Sequence, residues 1–174
     1  EAGIDDEIEL STYHINFVIA PRLNAMGRMA HAIDSLRLLC TTNYERSQKL
    51  ARLLNETNTQ RQEVTFENVN TDKNMIGVNE QNIIVINDGD FHEGVIGLVA
   101  GKMVETYYRP TIVISKSEGV SKASARSVKG VNIIEMIRVH EDHLINAGGH
   151  PMAAGFSIET EKIDGFTRAI QDSA

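Results

Sequence analysis

Apolar residues recur along this chain at two different periods, and the change between them divides it. Within residues 31–40, Ala32, Ile33, Leu36, Leu39 and Cys40 fall at helical spacing, which predicts one short amphipathic helix. Thr42 and Glu45 form a capping-box pattern that opens a second helix. Leu50, Leu53, Leu54, Thr57, Arg61 and Val64 continue its stripe, and no Gly or Pro interrupts residues 43–70. So thin a stripe on so long a helix predicts an exposed connector between two bodies. A coiled coil is the alternative, although fewer than three clean heptads are present. Upstream, Thr12 to Ile19 is apolar and β-branched and runs into PRLNAMGR, which reads as a glycine-punctuated loop. Residues 1–10 read as an acidic lead-in.

After Gly77 the pattern becomes that of an α/β body. NIIVIN at 82–87 and Thr111 to Ser115 are compact apolar runs that suit buried strands. Between them, Val95, Val99 and Met103 keep helical spacing until Arg109-Pro110 stops the helix. Strand, helix and strand in so few residues predict a βαβ unit with parallel strands. Val120 to Arg126 reads as a further strand and Phe156 to Ile158 as a last inner one. Asn132 and Glu135 are expected to cap a helix running to about His140, and Ile163, Phe166 and Ile170 mark a C-terminal helix. The fold class is therefore α/β: a mixed sheet with a βαβ unit flanked by helices, preceded by an N-terminal helical arm with a long connecting helix. Residues 1–72 would form the arm and connector, and 73–174 the α/β domain.

Composition is that of an ordinary soluble globular chain, with 41% hydrophobic and 24% charged residues among 174. No run approaches the roughly 20 apolar residues that a membrane span needs. Cys40 is the only cysteine, which excludes an internal disulfide and a thiolate metal cluster and points to a reducing cytoplasm. A net charge of −7 argues against a nucleic-acid partner until its distribution is considered. Five acids fall in the first ten residues, so residues 11–174 carry only −2. Residues 20–61 carry +4 and residues 116–138 carry +3, enough for local phosphate-binding patches but not for strong non-specific duplex binding.

The candidate chemistry centres on NAGGHPMAAGF at 146–156. Gly148 and Gly149 permit a tight turn or a close backbone approach, Pro151 stiffens the backbone beyond the histidine, and Ala153, Ala154 and Gly155 leave His150 unscreened. Such a loop presents one titratable donor to a phosphate oxygen, or to charge developing on phosphorus. A plain turn whose histidine bonds only the backbone fits the pattern equally. Arg22, Asn24 and Arg28 surround Gly27, and arginine's planar fork of donors matches phosphate oxygens. Ion pairing of Arg22 and Arg28 with acids is the structural alternative. In SARS, at 124–127, strand alternation would point Ser124 and Arg126 to one face. Asp88, Asp90, His92 and Glu93 crowd the loop after the first strand, but their spacing does not fit an EF-hand. Gly97 to Lys102 lacks the glycine spacing and the hydroxyl of a P-loop.

Four blocks in order, APRLNAMGR at 20–28, FHEGVIGLVAGKMV at 91–104, SARS at 124–127 and GGHPMAAGF at 148–156, resemble the single-stranded-DNA exonucleases of the DHH phosphoesterase superfamily. The last block resembles the glycine-glycine-histidine signature of their DHH-associated domain. The resemblance implies a substrate-binding role for Arg22, Asn24, Arg28, Ser124, Arg126, Gly148, Gly149 and His150, with His150 also catalytic. It implies 5′-to-3′ hydrolysis of single-stranded DNA, with short RNA or nucleotides as other partners, by a longer protein using Mn or Mg. The metal-binding Asp-His-His triplet of the superfamily is absent from these 174 residues, which places the metal ligands before Glu1 and leaves the fragment alone inactive. A nano-RNase, a cyclic-dinucleotide phosphodiesterase and a non-catalytic scaffold remain the other readings.

Overall fold

The computed structural model describes residues 9–72 and 81–174. Most of the acidic lead-in, and the change of character at Gly77, lie outside the described residues. The chain forms two compact units, Glu1–Val64 and Thr65–Ala174.

Among the described residues, the regular structure of the first unit is helical. A π-type turn over His14–Ile19 leads into α1 (Ala20–Met29), followed by α2 (Ile33–Cys40) and by the start of α3 (Tyr44–Asp72). PRLNAMGR is therefore helix rather than loop. Pro21 lies in the first turn, where the missing N–H has no intrahelical partner to lose, and Leu23, Ala25 and Met26 favour helix strongly enough to carry Gly27. Ala25, Met26 and Leu54 are buried, and Ser35 Oγ donates to the Leu23 carbonyl at 2.7 Å, tying α2 to α1.

The start of α3 departs from the expected capping box. Asn43, one residue beyond Thr42, carries the cap: its Oδ1 accepts the Arg46 N–H at 2.9 Å. The amide reaches the third residue of the helix, which satisfies one of its orphan donors. Asn43→Ala is expected to destabilise the helical unit by about 1 kcal/mol, while Thr42→Ala is close to neutral. Chemical denaturation of the two variants measures the difference.

In the second unit, β1 (Ile84–Asp88), α4 (Ile96–Tyr107) and β2 (Thr111–Ser115) form the βαβ element, with β1 and β2 parallel. The helix ends on Tyr108 in the left-handed region (φ 51), just before Pro110. β3 (Val120–Arg126), β4 (Leu144–His150) and β5 (Ala153–Glu159) complete a five-stranded sheet of order β1-β2-β3-β5-β4, antiparallel from β2 onward. One face packs Ile112, Ile114, Ala123, Ala125, Phe156 and Ile158 against α5 (Ile133–Arg138) and α6 (Ile163–Asp172), through Ile133, Ile137, Phe166 and Ile170. The other face packs Ile84, Ile86 and Val113 against Ile96, Val99 and Met103 of α4. Asn132 stands at the N-terminus of α5, but its side chain makes no capping bond. Among the described residues no helix is long and apolar enough to cross a membrane.

Candidate nucleic-acid interface

Strand register builds the site. Residues paired across neighbouring strands share a face, and successive residues alternate. Thr111, Arg126, Ala153 and His150 therefore form one row on the α4 side of the sheet, and Val113, Ser124, Gly155 and Gly148 form the next. A third row holds Ser115, Lys122, Ser157 and Asn146. α4 packs over β2 and β3. Beyond them, Gly155 on β5 and Gly148 on β4 are exposed. The result is a shallow floor without side chains, bordered by Ser124 and Arg126, with His150 in the row of Arg126. Two strand spacings, roughly 10 Å, separate these last two positions.

Arg126 is half-buried and held locally. Its Nη1 donates to the Ala125 carbonyl at 2.8 Å and to Ser124 Oγ at 3.3 Å. Both side chains lie against Gly97 in the first turn of α4. The N-terminal end of a helix carries partial positive charge, which adds to that of the guanidinium beside it. A phosphate oxygen is complementary to both, and the open floor gives it access.

His150 does not stand in a loop, as the glycine pair predicted. Residues 144–150 are strand β4, and the turn is Pro151-Met152, joining His150 to its partner Ala153. Pro151 pre-sets the turn's first dihedral. The Pro151 carbonyl accepts the Ile133 N–H and the Met152 carbonyl accepts the Ser127 N–H, both at 3.0 Å, which pins the turn to the body of the domain. His150 is exposed at the end of this braced hairpin.

Arg22, Asn24 and Arg28 belong to α1 in the helical unit. Arg22 is half-buried; its Nε donates to Asn55 Oδ1 at 3.0 Å and its Nη1 to the Val18 carbonyl at 2.7 Å. Both acceptors are neutral, unlike the acids of the ion-pair alternative. Asn24 and Arg28 are exposed one turn apart, so they share a face of α1. Arg61 joins this group, which its place in a helical stripe had concealed. Burial, and then the nearby charge of Arg28, lower its guanidinium pKa, so two cations converge here as well.

The acidic loop after β1 is occupied with its own structure. Asp88 Oδ1 accepts the Asp90 N–H at 3.0 Å, His92 Nδ1 accepts the Gly94 N–H at 3.1 Å, and Glu93 pairs with Lys122 at 2.8 Å. Among the described residues no three His, Cys, Asp or Glu side chains are grouped to hold a metal ion. Lys122 is the further cation on the site's face, one alternation beyond Ser124.

Known proteins resemble this chain in sequence and in fold. The DHHA1 domain model matches residues 80–174. The single-stranded-DNA-specific exonuclease RecJ of Bacillus subtilis is 34% identical over 164 residues, 92% of this chain and 21% of that protein. Its namesake from Thermus thermophilus is 33% identical, over 90% of this chain and 23% of the relative. The chain thus spans less than a quarter of the length of these two curated relatives. The crystal structure of Thermus thermophilus RecJ in complex with Mg2+ superimposes with a TM-score of 0.85 at 30% identity, covering 92% of this chain and 25% of that one. A crystal structure of exonuclease RecJ bound to manganese gives 0.82 at 30% identity, over 94% and 41%. With more than half of its length matched by that one model, the chain belongs to the DHHA1 domain family.

Proposed function

We propose that this chain is the strand-gripping part of a RecJ-like exonuclease that hydrolyses single-stranded DNA from its 5′ end. Residues 1–72 serve as arm and connecting helix, and 73–174 as the substrate-binding domain. The observation that carries this reading is the convergence of Arg126, Ser124 and the positive end of α4 beside a floor made of Gly148 and Gly155. Arg126 and Ser124 hold a phosphate there, and His150 donates to an oxygen of the phosphate being cleaved. Gly148 lets the strand lie close to the sheet, and Gly149 holds the hairpin in shape. Arg22, Asn24 and Arg28 contribute contacts to the backbone from the helical unit. The full-length protein uses a divalent cation, Mg or Mn as in the related RecJ complexes, which supplies Lewis-acid chemistry at the phosphate when bound. Cys40, alone and exposed, is in keeping with a reducing cytoplasm.

Arg126→Ala in the full-length protein tests the grip. Loss of a charge-assisted hydrogen bond is expected to weaken oligothymidine binding by roughly 10- to 100-fold and to lower the salt slope by about one unit. Fluorescence anisotropy at several salt concentrations reads both. Unchanged affinity, with a fallen melting temperature, would make Arg126 a structural residue and remove the basis for the assignment.

A further inference from the structure

Gly97 lies in the first turn of α4, although glycine is among the poorest residues for a helix. No left-handed dihedral requires it, since the positive-φ glycines among the described residues are Gly119, Gly130 and Gly149. Its surroundings supply a different reason. A Cβ at this position would stand 3.0 Å from Ser124 Oγ and 3.1 Å from Arg126 Nη2. Both contacts are tighter than ordinary non-bonded packing. Gly101, one turn further along the same helix, has no heavy atom within 4 Å of the equivalent Cβ. The crowding is therefore specific to the place where Ser124 and Arg126 meet the helix.

We infer that Gly97 is a positioning residue, whose missing side chain sets where the Ser124 hydroxyl and the Arg126 guanidinium present their donors to phosphate. The inference rests on the phosphate grip proposed above and acts wholly through it. Arg126 has little freedom to retreat, because Nη1 is already engaged by the Ala125 carbonyl and Ser124 Oγ. An added methyl group must therefore push Nη2 or the hydroxyl out of line by some tenths of an ångström. Directional hydrogen bonds weaken on such displacement, while the helix itself gains from alanine.

The test uses Gly97→Ala, Gly101→Ala, Arg126→Ala and the Gly97→Ala/Arg126→Ala double variant in the full-length protein, with oligothymidine binding and thermal melting measured on each. Gly97→Ala is expected to weaken binding roughly five- to tenfold, the scale of a charge-assisted contact strained but not lost. Its melting temperature is expected to equal or exceed that of the parent. Gly101→Ala shares the helical gain and keeps parental affinity. On the Arg126→Ala background, Gly97→Ala adds no further loss, because the contact it disturbs is gone. Parental affinity in Gly97→Ala alongside weakened Arg126→Ala would overturn the inference and leave the grip standing. A lowered melting temperature, or an undiminished loss in the double variant, would place Gly97 in packing and overturn it too. Parental affinity in Arg126→Ala would overturn the grip, and the inference with it.

Discussion

His150→Ala in the full-length protein is expected to lower turnover by about 10²- to 10³-fold, the scale of losing one donor to a developing oxyanion. Affinity for single-stranded DNA is expected to change far less, since the phosphate grip proposed for Arg126 and Ser124 does not depend on it. The difference comes from placement. The imidazole stands exposed at the end of β4, in one row with Arg126 on a single face of the sheet. Its mount is stiff: Pro151 fixes the turn behind it, and two backbone hydrogen bonds, from Ile133 and Ser127, brace that turn. A donor held still in advance spends no reorganisation energy as charge builds on the phosphoryl oxygens. Single-turnover cleavage and equilibrium binding, measured on the same folded variant with saturating Mg or Mn, separate the two effects. Near-parental turnover would reduce His150 to a strand-end residue with no part in the chemistry. A parallel fall in both quantities would make it a ground-state contact.

The elements that sequence alone made legible are those whose burial imposes a period. β1, β2, α4 and α6 bury Ile86, Val113, Val99 and Phe166 at the spacings that had predicted them. Where one local signal competes with another, the sequence pattern misleads. Gly27 in PRLNAMGR suggested a loop, yet Pro21 in a first turn and the apolar residues between them suffice for α1. The glycine pair at 148–149 suggested a turn, yet strand pairing with Gly155 and Ala154 extends β4 as far as His150. The α4-side row could not be read in advance, because it depends on the register of β3, β5 and β4, whose order in the sheet is not their order in the chain. Gly97 was hidden for a related reason, since it meets Arg126 only once α4 lies across the sheet.

Gly149→Ala is expected to destabilise the domain by about 3 kcal/mol, whereas Gly148→Ala, one residue earlier, leaves stability close to parental. Gly149 has φ +152, which side-chain-bearing residues rarely adopt. A Cβ there would fall on the Ala153 carbonyl oxygen and within 2.5 Å of Ala154 Cα. Those are backbone atoms of the paired strand, so no rotamer change relieves the clash, and β4 must lift away from β5 or slip in register. At Gly148 a Cβ meets nothing within 4 Å. Its methyl group would instead project over the exposed floor beside Gly155, where the proposed strand lies. The two alanine variants are therefore expected to fail differently. Gly149→Ala lowers the melting temperature by about 10–20 °C, as a loss of that size does in a domain of roughly 100 residues. Gly148→Ala melts like the parent but binds oligothymidine more weakly. Equal melting temperatures for the two variants would show that the hairpin accommodates a side chain at Gly149, and that the glycine pair serves some purpose other than strand pairing on one side and an open floor on the other.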